Sequence, residues 1–520
     1  MNTNEIEFYV PYNLDIKKIL KKEKKTDYYI RCQINKYHWF LSNIYLRSIT
    51  DKRYVAGDFI PMHHKMMEKI LGSRYVEDIK RILPKHGIIE NDGDFTQGEK
   101  SIGYRLSPAY QVRHVKILYD SNSTFIKSLR QQIPRRIAKM DDITRYTYYQ
   151  LNEVGIYREA AEQYVQHWYE QNYLVQNPTL VKKLKKDNRK RRTEEAKAKK
   201  KGQAVKSFQL TYHQMLDNMR DSYLYQIRAV DKKLWLPVRD DKGRRIHTYL
   251  SNLWSDLRQF LFLKSKPSTQ LLSLDCSNSQ PYTLVKIVLE YFKGEDLYSG
   301  LHDDVLLYID LVTLGKLYSF MCGELGITDS DVIADFKVDM FSRIFYCENH
   351  KGFHSKEAKA FRKFFPTVYQ IVMQEKKQFF KQLSIRMQRV ESEAILDIAL
   401  TALKDKYGTS VWFGSIHDSI LCESGYEDEV YQLMLDAYTQ VVGVTPHIKQ
   451  AEKVNVVKTE PVVVSTTAEL PDLTPLTELQ QRFEAEFVSK PYKEAVARRQ
   501  PELDYKVKKQ KKAVACGIEW

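Results

Sequence analysis

The stretch TQLLSLDCSNSQPYTLVKIVLEYF, residues 269–292, decides how this chain is read. Its apolar run Leu271–Leu274 reads as a buried strand ending on Asp275. A polar bend comes next, then an apolar helix. A carboxylate at the end of a buried strand is held rigidly at a cleft, as two-metal phosphoryl transfer requires. A strand-end Asp also caps following helices, so this stretch alone leaves both roles open.

A second stretch, SVWFGSIHDSILCES (410–424), narrows the choice. Two apolar half-strands flank His417 and Asp418, the pattern of a β-hairpin with the acid at its tip. Asp favours turns for its own local hydrogen bonds. Here, however, it stands between Ile416 and Ile420 with a His beside it rather than among Gly and Asn. A carboxylate among apolar neighbours is costly unless it is paired or binds a metal.

Taken together, the two stretches resemble the family A DNA polymerases and their relatives, the single-subunit RNA polymerases of the phage type. The first family motif is a strand ending in D-x-S with a polar residue shortly after. Here that is Asp275-Cys276-Ser277 and then Gln280. The last motif is an apolar-H-D-[ES]-apolar hairpin, matched by Ile416-His417-Asp418-Ser419-Ile420. The middle motif lies on a fingers helix, as R-x₃-K, an aromatic four residues on and Tyr-Gly eight on. DFKVDMFSRIFYCEN supplies Lys337, Phe341 and Phe345, with Tyr346 next. Spacing of four predicts Lys337, Phe341 and Phe345 on one helix face. Ile333 stands where the family has Arg, no Gly follows the aromatic, and Arg343 is the candidate substitute. Weaker echoes place Arg245, Thr248 and Arg258 in a primer–template segment, and Gln388 on the helix before the last motif. The resemblance covers roughly residues 235–450.

The resemblance implies an α+β fold: a polymerase palm, an antiparallel sheet backed by helices, with helical fingers. It implies a template-dependent nucleotidyltransferase, a DNA-directed DNA polymerase in phage or mobile-element replication. Asp275 and Asp418, with the backbone carbonyl of Cys276, would hold two Mg²⁺ ions. Lys337 would meet the triphosphate, with Phe341, Phe345, Arg343 and Gln280 around the nucleotide. Arg245, Thr248, Arg258, Gln388 and His417 would meet primer and template. Three alternatives stay open. Ser419 and Gln280 resemble the RNA-polymerase branch, the missing Arg suits a palm that binds nucleic acid without catalysis, and a primase-like enzyme fits the same motifs.

Composition agrees with a polyanion partner. The chain has 520 residues, net charge +16 and a sequence pI of about 9.2. Its 35 Tyr and 22 Phe mixed with Lys and Arg suit base stacking, although most rings are expected in cores. Residues 181–206 lose their apolar residues and become basic. Lys182, Lys183, Lys185, Lys186, Arg189, Lys190, Arg191 and Arg192 read as a solvated helix or linker that also tracks a phosphate backbone.

Six cysteines without a C-x-x-C pair argue against a zinc ribbon or disulfide framework, and Cys347, His350 and His354 lack an obvious fourth ligand. No run of 18 apolar residues predicts a membrane span, and the polar N-terminus is unlike a signal peptide, so a cytoplasmic protein is expected. The expected organisation is 1–180 helical accessory or thumb-like, 181–206 basic, 207–450 palm and fingers, and 451–520 an appendage with a basic tail. The turn-rich segment 85–118 is expected to form a small β-element or winged-helix tail. No D-x-E exonuclease signature appears in the first 200 residues.

Overall fold

In the computed structural model the described residues are 6–455 apart from 52–53, 55–56, 94, 96–100, 112–113, 119–122, 201–208, 293–300 and 329. At the centre lies a four-stranded antiparallel sheet in the order Phe413–Ile416, Ser419–Glu423, Leu271–Asp275, Glu452–Lys453. Strand side chains alternate between faces. Leu272, Leu274, Ile420 and Cys422 enter one core, with the helices Ser279–Tyr291, Gln382–Ser392 and Glu427–Val442. Leu271, Leu421 and Ile416 enter another, with Leu151, Val165, Ile227 and Leu250 from the opposite side. A sheet covered on both faces explains why Leu271–Leu274 is apolar with little alternation. Fully burying each such leucine contributes about 1.5–3 kcal/mol. The fold class is α+β, as the sequence implies.

Around this sheet the packing departs from the expected boundaries. Ile143 and Tyr146 belong to the same core as Leu274, and Leu151 and Val154 to the same core as Leu271. The helix Asp142–Glu153 and the strand Val154–Ile156 thus pack with the central sheet rather than with an accessory region reaching residue 180. At the other end, the sequence places residues 451–455 in the appendage. Instead Glu452 and Lys453 pair with Ser273 and Leu272, and the Asn455 side chain accepts from the Leu271 amide at 2.7 Å. The rest of the expected appendage, 456–520, lies outside the described residues.

The N-terminal residues build a separate core around the helix Asp27–Thr50. Residues 64–85 form two helices, His64–Leu71 and Ser73–Lys85. Gly72 breaks them at φ 88, a conformation open to glycine without a Cβ penalty. The 85–118 stretch supplies strands, as expected of a β-element. Ile89–Asn91 and Gly103–Leu106 join Ile60–Pro61 in one sheet, and His114–Leu118 pairs with Glu7–Pro11. The basic stretch is helical, Pro178–Lys200, and its remaining residues 201–206 lie outside the described ones. Among the described residues no single helix is long and apolar enough to cross a membrane.

Candidate active site

The ladder between Leu271–Asp275 and Ser419–Glu423 pairs Asp275 with Ser419. Asp418 precedes Ser419 in the two-residue loop that joins Ile416 to it. The two carboxylates are therefore neighbours across adjacent strands although remote in sequence. Both line a cleft of about 530 Å³, with Arg245, Gln280, Lys337, Phe341, Glu391, His417 and Lys449 among its walls. Two wall residues, Asn278 (φ 53) and His417 (φ 56), are in the left-handed region. Non-glycine residues held there store about 1–3 kcal/mol of strain, which concentrates at functional sites.

The electrostatics are those of an acid-rich hollow. Protein surrounds Asp418 on all sides but the cleft. That desolvation, with the nearby charges of Glu391 and Asp275, pushes its pKa up to about 8. Glu391 is absent from the sequence-derived candidates. It is 1% exposed and forms the hub of a network. The Arg245 guanidinium donates to its Oε1 from Nε at 2.7 Å. The Ser279 hydroxyl and the Gln280 amide donate to its Oε2 at 3.0 and 2.5 Å. Its sequence signal is a charged residue among the apolar positions Val390, Ala394 and Ile395.

The helix that carries Lys337 departs from its expected face. Ser330–Met340 is α-helical, but Phe341–Phe345 is a π-helical segment closed by the Tyr346 amide donating to the Phe341 carbonyl at 2.9 Å. One extra residue per turn delays every later position by one. Lys337 and Phe341 line the cleft, whereas Phe345 is fully buried in the core and the next residue, Tyr346, is exposed. The Tyr346 hydroxyl donates to Gln280 Oε1 at 3.2 Å. Two neighbours hold this turn. The buried Lys376 ammonium donates to the carbonyls of Ile344 and Cys347, and Gly352 packs so closely that an added Cβ would stand 1.8 Å from the Arg343 carbonyl oxygen.

Other sequence candidates lie elsewhere. Arg343 does not replace the missing Arg: it faces Asp339 and Glu357 at 3.8 and 3.6 Å, away from the cleft lining. Thr248 is buried, capping the helix Tyr249–Asn252 in a reciprocal capping box with Ser251. Arg258 sits in the Ser255–Phe260 turn, where burial lowers its pKa. Gln388 packs against Gly243 and bonds Tyr346 without lining the cleft, three residues before the hub that does line it. On the basic helix, Lys185, Lys186, Arg189 and Arg192 are exposed, but Arg191 is buried and pairs with Asp58 at 3.3 Å. Lys449, also missed, pairs with Asp275 and has no sequence signal, because a tertiary strand pairing brings it there.

The fold and the cleft define a helix-rich α+β protein with paired carboxylates at the end of a central antiparallel sheet. No protein-family model matches the chain, and no curated protein matches it. Among solved structures it is similar to the POL domain of Pol1 from M. smegmatis, in complex with DNA primer-template and dNTP. The TM-score is 0.38 and the identity 11%, covering 63% of this chain and 73% of that chain.

Proposed function

We propose that the chain is a template-dependent nucleotidyltransferase, a DNA-directed DNA polymerase whose catalytic residues are Asp275 and Asp418. One observation carries the reading: a strand-end carboxylate and a hairpin-loop carboxylate, remote in sequence, meet at one cleft that the Lys337 ammonium also lines. The donor set fits Mg²⁺. Two carboxylates are hard oxygen ligands. The Cys276 carbonyl is a third, since strand carbonyls alternate in direction and that of Asp275 already accepts the Lys449 amide on the other side. A raised, crowded Asp418 is an acid in want of a cation. Bound there, Mg²⁺ supplies Lewis-acid activation of a primer 3′-hydroxyl and charge neutralisation on the triphosphate.

The chain's own residues do the rest. Lys337 is exposed to the cleft, where its ammonium meets the triphosphate as a point charge. Phe341 offers a ring to the base. His417, fixed beside Asp418 by its left-handed turn, orients the primer end. Gln280 fills the space beside the sugar, its amide NH₂ tied to Glu391 and its oxygen to Tyr346. With both ends engaged, Gln280 is a rigid block against a 2′-hydroxyl, which favours deoxynucleotides. Without a D-x-E signature in the first 200 residues, the reading is of a polymerase that does not proofread. The partners are primer–template DNA, tracked in part by the exposed cations of the basic helix, and nucleoside triphosphates.

A second reading, RNA synthesis, draws on Tyr346. Its hydroxyl is spent as a donor on Gln280 but keeps lone pairs that accept from a ribose 2′-hydroxyl. Primer extension under Mg²⁺ titration, with deoxy- and ribonucleotides supplied separately, tests both. Extension with deoxynucleotides that Asp275→Asn and Asp418→Asn abolish supports the proposal. Efficient extension by ribonucleotides alone moves the assignment to RNA synthesis, and no extension with either reduces the chain to a binding protein.

A further inference from the structure

The segment after the last motif supplies the cleft with a cation. Residues 447–455 run antiparallel along the whole first-motif strand. Val454 donates to the Leu271 carbonyl at 2.9 Å, Glu452 pairs with Ser273, Ile448 bridges Cys276, and the Ser277 amide donates to the His447 carbonyl at 2.9 Å. A second bond between the Ser277 hydroxyl and His447 Nδ1, at 2.8 Å, and the burial of Ile448 fix the register at the cleft end. Lys449 is thereby locked beside Asp275: its amide donates to the Asp275 carbonyl at 2.9 Å and its ammonium to Asp275 Oδ2 at 2.5 Å. Of the three cleft carboxylates, Glu391 has Arg245 and Asp275 has Lys449. Asp418 has no cation in ion-pair range among the described residues.

We propose that Lys449 is the internal counter-ion of Asp275, a positioning residue that holds the carboxylate in the metal-free protein and that a divalent cation must displace from Oδ2. The inference rests on the reading of Asp275 and Asp418 as metal ligands. A carboxylate oxygen that accepts from an ammonium at 2.5 Å is not free for a metal in the same geometry, so the two occupants compete. The half-exposed ammonium has solvent to swing into, which makes displacement feasible without disturbing the strand. Lys449 thus sets how much cation the cleft needs before it fills.

The test is Mn²⁺ binding to the full chain without nucleotide, read by the EPR signal of free Mn²⁺, together with thermal melts with and without Mn²⁺. Lys449→Met is expected to bind Mn²⁺ more tightly, by up to about 5-fold, the range of one half-exposed ion pair. Lys449→Arg, which keeps the charge, is expected to retain wild-type affinity. Lys449→Met is expected to melt below wild type without Mn²⁺ and alongside it at saturation, because the bound form has already given up the pair. Unchanged or weaker Mn²⁺ binding by Lys449→Met overturns the inference while leaving the metal pair standing. Mn²⁺ binding that survives Asp275→Asn undiminished overturns the metal pair, and the inference with it.

Discussion

Around Glu23 and Asp78, in the N-terminal core, carboxylates face cations; around Asp418, in the cleft, carboxylates face one another. Glu23 accepts from Lys85 at 2.7 Å, His86 at 2.9 Å and Arg81 at 3.1 Å, and the first two bonds lead in holding its pKa well below the usual carboxylate range. Burial alone would raise Asp78, yet bonds from Lys25, Tyr29 and Arg81 outweigh it and its pKa is lowered. Asp418 goes the other way, up to about 8, because burial, Glu391 and Asp275 all oppose its charge. Acids matched by bases stabilise a fold, whereas acids that raise one another concentrate at functional sites. Rising pH therefore acts with opposite signs on the two regions. Glu23 and Asp78 contribute stability above the ordinary carboxylate pKa that is lost as pH falls through their depressed values. Asp418 costs stability as pH rises from about 4 towards 8, since the unfolded chain releases that proton first.

The largest test of this contrast exchanges charge for amide on each side. Asp275→Asn or Asp418→Asn is expected to lower nucleotide transfer by more than about 10³-fold in primer extension. Asp418→Asn should leave the melting temperature at pH 8 equal to wild type or higher. Glu23→Gln should do the reverse, leaving transfer intact and lowering the melting temperature. Equal loss of activity from both would erase the distinction.

A second test stays within one helix. Neutralising Lys185, Lys186, Arg189 and Arg192 together should weaken DNA binding without regard to sequence and flatten the log–log salt slope by about 3, at roughly 0.7–0.9 per phosphate contact. Arg191→Ala should leave that slope unchanged and destabilise the fold through the loss of its Asp58 partner. A binding assay across salt concentrations separates the two.

Sugar choice carries a smaller effect. Gln280→Ala removes the block between Glu391 and Tyr346 and should raise ribonucleotide incorporation about tenfold relative to deoxynucleotide. Phe345→Leu, in the core behind it, should leave that ratio unchanged. A ratio that tracks Phe345 instead would put that residue beside the nucleotide. The smallest effect expected is on primer ends: a mismatched 3′ terminus should show no Mg²⁺-dependent trimming that survives Asp275→Asn.

The sheet and hairpin were legible because local pattern and tertiary role coincide there. Leu271–Leu274 is apolar because both sheet faces are covered, and His417-Asp418 interrupts an apolar hairpin because it must turn. The helix that carries Lys337 was less legible. A spacing rule built on 3.6 residues per turn points Phe345 at the cleft, and the π-helical segment in which it is buried instead is held by Lys376 and Gly352 from other elements. Thr248 and Arg191 misled for a related reason. Their residue types suit a nucleic-acid surface, but a capping box and an ion pair with Asp58 turn them inward.

The sequence by itself determined where the two aspartates sit, at a strand end and at a hairpin tip, because burial demands apolar flanks and a turn demands its own chemistry. It also determined the basic balance of the chain and the segment that carries much of it. Only the tertiary structure decided what surrounds the aspartates. Glu391 is recruited from a helix more than a hundred residues from Asp275. Lys449 comes from a segment that is ordered by pairing with the first motif, and Tyr346 from a helical turn whose register is fixed by its neighbours. Charge in a cleft depends on distances in space. Local pattern reports the conformation of each segment and leaves undecided which segments will share a wall.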